Sequence, residues 1–460
     1  MNRKGIFLVV SIAAAAVALA FSAQDVSSEG ASNSRARDPG VRGGDPGAGG
    51  PIAGLTKAEL EFFELGREDF EEAEDVAKGV GPRMNLDGCG GCHSQPATGG
   101  TSPAVNPQVA FATKDGGTDR VPPFIFPNGP VREARFVRNP DGTPDGGVHA
   151  LFTITGRRAA AGCNLAQPDF EHQIAKRNVI FRIPTPVFGA GLIEQIPDAA
   201  ILANQAANSS QKSGLGIRGR ANYAVAGRTI SGQGNNNGND GTIARFGWKA
   251  QNVSLLLFSG EAYNVEMGIT NELFQVEREQ AAGCQFATVP NDAQNFEATD
   301  ALRGTTAIQN FANFQRFLAP PMPSSDTPGG AESIARGRSL FGSTGCGLCH
   351  TPALRTGSTT VAALRNRTAN LYSDLLVHDM GVGLADGISQ GQAGPREFRT
   401  SPLWGLGKRI FFLHDGRASD LLKAIQHHHS DGSEANGVIR NFNSLRENEK
   451  QHILNFLRSL

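Results

Sequence analysis

The sequence predicts a mainly α-helical chain built as two copies of one plan, the first copy enlarged by an insertion of mixed strand and loop. Three landmarks that recur in the same order predict it. A helical stretch carrying Gly-Arg-x-x-Phe comes first, at Gly66, Arg67 and Phe70 and again at Gly337, Arg338 and Phe341. The segments GCGGCH (88–93) and GCGLCH (345–350) follow. Each half then closes on an amphipathic helix, IQNFANFQRFLAPP (308–321) and QHILNFLRSL (451–460).

Along the chain, residues 1–23 read as a signal peptide. Arg3 and Lys4 precede an apolar run from Ile6 to Phe21 and then small residues, so cleavage is expected after Ala20, Ser22 or Ala23. A retained anchor helix is the alternative, because the run is near the lower length for spanning a bilayer. No later segment is apolar enough to span one. Residues 24–53, rich in Gly, Ser, Pro and Asp, have little to bury and read as a flexible linker.

The first domain is expected at 54–320 and the second at 331–460, with PPMPSSDTPGG (320–330) between them. The insertion covers about 100–245. Within it, VHALFTIT (148–155) alternates like a strand. NVIFRIPTPVFGAGLIEQIPDAAILA (178–203) suggests a strand, a Pro-rich turn and helices, and SGQGNNNGNDGT (231–242) a loop. A net charge of −1 with 19% charged residues excludes a nucleic-acid partner and a polybasic membrane patch. The 57 glycines call for much loop and turn.

Cys-x-x-Cys-His is the attachment signature of c-type haem. On a helical turn, residues three and four apart share a face. Cys89 with Cys92, and Cys346 with Cys349, can therefore tether a haem edge while His93 and His350 turn to the iron. Structural zinc needs four ligands where each motif offers three, and a redox Cys-x-x-Cys leaves the histidines unexplained. The prediction is two covalently bound haem c groups in two cytochrome c-like domains. Cys163 and Cys284 remain; in an oxidising compartment they are expected to form a disulfide pinning the insertion to the first domain, the alternative being two buried free thiols.

Beyond the second motif, FRTSPLWGLGKRIFFLHDGRASDLLKAI (398–425) resembles the second haem domain of bacterial di-haem cytochrome c peroxidases and their relatives, which include the di-haem enzyme that matures methylamine dehydrogenase. RIPTPVFGAGLIEQIPD, ARFGWKAQNVSL, GEAYNVEMGITNE and DLLVHDMGVGLADG are most similar to the di-haem oxidoreductase family, sometimes labelled thiol oxidoreductase. The likeness runs over about 55–460. No reactive thiol pair is visible to support the thiol label.

The resemblance implies that the C-terminal haem takes a second axial ligand from the helix after His414-Asp-Gly. The position falls on His428, flanked by His427 and His429, with Met380 as the rival. A histidine there, where a peroxidase often has methionine, implies a lower potential. In the first domain the resemblance puts an acid/base carboxylate at Glu266. Met267 is a rival ligand, Tyr263 a pocket or packing residue, and His149 a candidate displaceable ligand. The bridging aromatic of the peroxidases aligns with Phe246, whereas the only tryptophans, Trp248 and Trp404, are the candidate electron relays.

The expected function is that of an exported, periplasmic di-haem oxidoreductase of cytochrome c peroxidase type. It would reduce peroxide or a related small oxygen species at the N-terminal haem, with electrons relayed by the C-terminal haem from a small cytochrome or cupredoxin. The alternatives are a non-catalytic di-haem electron carrier and a high-valent-haem oxidase of a partner protein or organic substrate. Relatives often hold calcium between domains; no Asp-rich loop here identifies such a site.

Overall fold

Thr56 starts the helix Lys57–Glu71 with a capping box: its side chain accepts from the amide of Glu59, whose carboxylate returns to the Thr56 backbone. This helix packs against Ala307–Phe317, which Thr306 and Gln309 cap in the same way. The contact explains the first landmark. A Cβ at Gly66 would overlap the carbonyl oxygen of Asn310, so only glycine lets the two backbones meet. The second half repeats the device with Gly330–Thr344 and Glu447–Ser459, where a Cβ at Gly337 would overlap the carbonyl of His452. Phe70 lies against Phe311 and Phe314, and Phe341 against Phe456.

The computed structural model describes residues 35–460 except 232, 233, 236, 279, 280, 282, 299 and 301; the expected signal peptide and residues 24–34 lie outside the described residues. Among the described residues there are 14 α-helices, and the strands are two to four residues long. The chain is mainly helical. No described helix is long and apolar enough to cross a membrane.

The insertion departs from its sequence pattern in one place. VHALFTIT is not one strand: Val148–His149 pairs with Glu133–Phe136, while Phe152–Thr153 pairs with Arg83–Met84 in a separate sheet. The strand Glu133–Phe136 is central in a three-stranded antiparallel sheet, with Val179–Arg182 on its other side. Alternation along it sets Glu133 and Arg135 on one face. After Arg182 the chain turns into the helices Ala190–Glu194 and Asp198–Ala206, as the pattern predicts.

Residues 35–53 are not a loose tether. Asp38 forms a buried ion pair with Arg458 at 2.6 Å, the Arg42 amide donates to Gly407 O, and the Arg42 guanidinium caps the carbonyls of Asp45 and Met322. Composition poor in apolar residues hides such packing, because ion pairs and backbone bonds add to the few apolar contacts of Ala36, Ala48 and Ile52. Residues 35–460 form one compact unit. Each half has an apolar cluster of its own, and Leu192, Ile193 and Leu255 of the first half share a third with Leu354, Leu364 and Leu375 of the second. Cys163 and Cys284 form a disulfide across 121 residues.

Candidate functional site

Each Cys-x-x-Cys-His segment follows its landmark helix and opens onto a cavity. The short helix Cys89–Cys92 ends at His93, whose Nδ1 lies 2.9 Å from Gly100 O. A carbonyl only accepts, so Nδ1 carries the hydrogen and Nε2 is left with its lone pair. His350 is held alike, with Nδ1 3.0 Å from Tyr372 O. The landmark phenylalanines support both rings: Phe70 meets His93 edge-on at 5.8 Å, and Phe341 is tilted against His350 at 6.3 Å. Burial pulls both imidazoles down to about 4, so they are neutral at any physiological pH. Burial also pushes the Cys346 thiol up to about 12 and raises those of Cys89 and Cys92, which disfavours their thiolate forms.

The second cavity, about 1400 Å³ with its opening, is lined by Cys346, Cys349 and His350 and is largely apolar. His428 follows the helix Leu421–Gln426 and lines the same cavity, with Nδ1 2.9 Å from Ala424 O. His427 and His429 are exposed. Met380 also lines this cavity, as does His414, stacked on Phe398 at 4.3 Å.

The first cavity, about 990 Å³ with its opening, is lined by Cys89, Cys92 and His93 and, from the helix Leu255–Met267, by Glu261, Tyr263 and Glu266. The Glu266 carboxyl is pushed up to about 8, first by burial and then by the charges of Glu133 and Glu261, with Arg135 acting against them. Glu133 accepts from Arg135 Nε at 2.9 Å, and Glu261 accepts from Ser231 and Asn252. Sequence reasoning missed Glu133, Arg135 and Glu261; the alternating Glu-Ala-Arg of a strand was the available signal for the first two. Tyr263 OH donates to Glu74 at 2.9 Å.

Two rivals fall away from this cavity. Met267 is packed in the core and is not part of the cavity wall. His149 stacks on Phe136 at 3.7 Å and bonds Asp145 at 2.6 Å, also outside the wall.

Trp248 lines both large cavities, its indole N–H donating to Ile183 O at 2.9 Å. Phe246 and Trp404 line neither; both border a smaller cavity of about 490 Å³ that also touches Trp248. No calcium site stands out. Among the described residues the one cluster with metal-ligand spacing is Cys349, Asp374 and His378, and sulfur and imidazole do not suit a hard cation.

Two cysteines and an imidazole with free Nε2, at the wall of a space the size of a cofactor site, fit haem, and they do so twice. Such walls, present twice, suit a two-haem redox protein. The family model described as "Di-haem oxidoreductase, putative peroxidase" matches residues 149–460, so it takes in the second motif and begins after the first. The chain belongs to that di-haem oxidoreductase family, which implies haem cofactors. No curated protein matches. Among solved structures, a hydrazine synthase chain of Kuenenia stuttgartiensis is similar at 18% identity over 35% of this chain and 56% of that one, with a TM-score of 0.22.

Proposed function

We propose that the protein reduces peroxide or a related small oxygen species in the first cavity, with electrons delivered through the second. The observation that carries this reading is Glu266, a carboxyl in the wall of the cavity that also holds Cys89, Cys92 and His93. In this reading Cys89 with Cys92 and Cys346 with Cys349 tether two haem c groups in cytochrome c-like halves (54–320 and 331–460), and His93 and His350 hold the irons. Bound haem supplies the two electrons needed to cleave the O–O bond. Glu266 takes the proton from the near oxygen and returns it to the far one, which departs as water, and two protons from solvent release the near oxygen as a second water. Arg135 favours the ionised carboxylate that exists before the proton is taken and after it is returned.

The second cavity is suited to passing electrons, because His428, with its Nε2 free, lines the same cavity as the proximal candidate His350, with Met380 as the rival ligand. Trp248 borders both cavities and is the relay between them. Residues 1–23 direct export, and the donor is a small cytochrome or cupredoxin in the periplasm.

The test is an electronic and electron-paramagnetic-resonance spectrum of the protein, oxidised and half-reduced, with and without cyanide. One ligand-accessible iron that is lost on His93→Gly is expected. Two low-spin signals indifferent to added ligand would leave only a di-haem electron carrier.

A further inference from the structure

The deeply buried arginines of this protein are paired, with few exceptions. Arg182 meets Asp386, Arg458 meets Asp38, Arg135 meets Glu133, and Arg245 meets Asp198. Arg42 is spent on carbonyls, and Arg157 rests on the Phe111 ring and carbonyl. Arg399 and Arg409 differ. They are 9% and 8% exposed, and among the described residues no carboxylate meets either. Arg399 gives Nε to Gly247 O at 2.9 Å, and the Arg409 guanidinium makes no hydrogen bond to any described residue.

A buried cation without a counter-charge is strongly disfavoured, and here two line the same cavities. Burial pulls both down to about 10, and the charge of Arg409 bears on Arg399 as well. Such a pair is stable when an anion arrives between the two planar donor forks.

Their place in the fold says which anion. Arg399 ends the strand Glu397–Arg399, and Arg409 follows the turn Leu406–Lys408. Both line the second cavity, and they are its only lysine or arginine residues. Both also border the smaller cavity beside Trp248 and Trp404, which none of Cys346, Cys349 and His350 touches. They therefore lie on a part of the wall that the second cavity shares with the smaller one and that none of Cys346, Cys349 and His350 reaches. Haem c is tethered at its thioether edge and carries its carboxylates at the other.

We propose that Arg399 and Arg409 are the seat for the propionate carboxylates of the haem in the second cavity. The inference rests on the two-haem reading above. The pair also sets a positive charge beside that haem, which favours its reduced form. It places the anionic edge of the group next to Trp248, on the route between the cavities.

The holoprotein and its Arg399→Gln, Arg409→Gln and Arg409→Lys variants test this. Haem c per chain comes from the alkaline pyridine spectrum, propionate-bending bands from resonance Raman, and both potentials from spectroelectrochemical titration with and without added phosphate. Both haems should be retained in the Gln variants. One bending band should shift and one potential fall, and that haem should be the one whose spectrum changes on His428→Ala. Arg409→Lys should shift the band while keeping most of the potential, since charge survives and the fork does not; this variant decides the matter if a Gln variant fails to fold. Unmoved bands and potentials overturn the proposal, as does a wild-type potential that follows phosphate concentration, which means a free anion fills the seat. A wild-type protein without haem c sinks the two-haem reading itself.

Discussion

Asp386 and Arg182 form an ion pair 2.6 Å apart with both side chains at most 2% exposed, and Lys249 approaches the second carboxylate oxygen at 3.0 Å. Arg182 borders the first cavity, and the Lys249 ammonium lies 4.1 Å from the ring centroid of Phe398, which borders the second. One carboxylate thus ties together the walls of both cavities. Burial lowers Arg182, and it pulls Lys249 down to about 8 against the attraction of Asp386. Asp386→Ala leaves two buried cations unpaired and should destabilise the protein by about 3–5 kcal/mol. Denaturant unfolding measures this; a loss under about 1 kcal/mol would mean that water compensates the pair.

The disulfide Cys163–Cys284 closes a long loop, 121 residues. Cys163→Ser with Cys284→Ser should lower stability by about 2–5 kcal/mol. The unfolding midpoint of the double variant should match that of the wild type under reductant. A wild type insensitive to reductant would show that the bond does not form in solution.

Trp248→Phe keeps an aromatic ring between the cavities but removes the indole and its hydrogen bond to Ile183 O. The stability loss should be about 1 kcal/mol. Electron equilibration between the two haems, followed after flash reduction, should slow clearly. Trp404→Phe borders neither large cavity and should leave that rate alone. Equal rates in wild type and Trp248→Phe would remove Trp248 from the route.

Much of this site could be read along the chain, and the unread part has a physical pattern. Cys89, Cys92, His93 and their second copies were legible because a Cys-x-x-Cys-His signature fixes its spacing within five residues. Glu266 and His428 needed a family resemblance, since a lone carboxylate or imidazole carries no local signature. Glu133, Arg135 and Arg399 went unread: the Glu-Ala-Arg alternation marks a strand but not the wall it joins, and strands and turns distant in sequence bring all three to a cavity. The relay aromatic was ambiguous between Phe246 and Trp248 because one slip of two residues cannot be judged without the walls themselves. The segment 35–53 misled, because its order comes from Asp38 and Arg42 bonding to the far end of the chain.

His428 and Met380 line one cavity, so their replacement separates them as ligands. His428→Ala should convert one low-spin haem signal to a high-spin, ligand-binding one. Met380→Leu should leave the spectrum unchanged. The reverse outcome would make Met380 the ligand, with His428 a wall residue bonded to Ala424 O.

Glu266 gives a pH dependence with a definite sign. Its ordinary value is 4.5, and burial with Glu133 and Glu261 raises it to about 8 in the folded protein. Between those values the folded state holds a proton that the unfolded state has released. Its contribution to stability is therefore full below about pH 4.5 and declines as pH rises toward 8. Chemistry runs the other way. A group that must first accept the peroxide proton works as the carboxylate, so the rate of peroxide reaction should rise as pH passes through about 8. Glu266→Gln should lower that rate by about 10²-fold or more, flatten the rise, and reduce the decline of stability over the same interval. Stopped-flow reaction with peroxide and denaturant unfolding, each across pH 5–9, read the two effects separately. A pH–rate profile that keeps its shape in Glu266→Gln would assign the proton transfer to a different group, and Glu133 and Glu261 in the same wall would be the next carboxylates to replace.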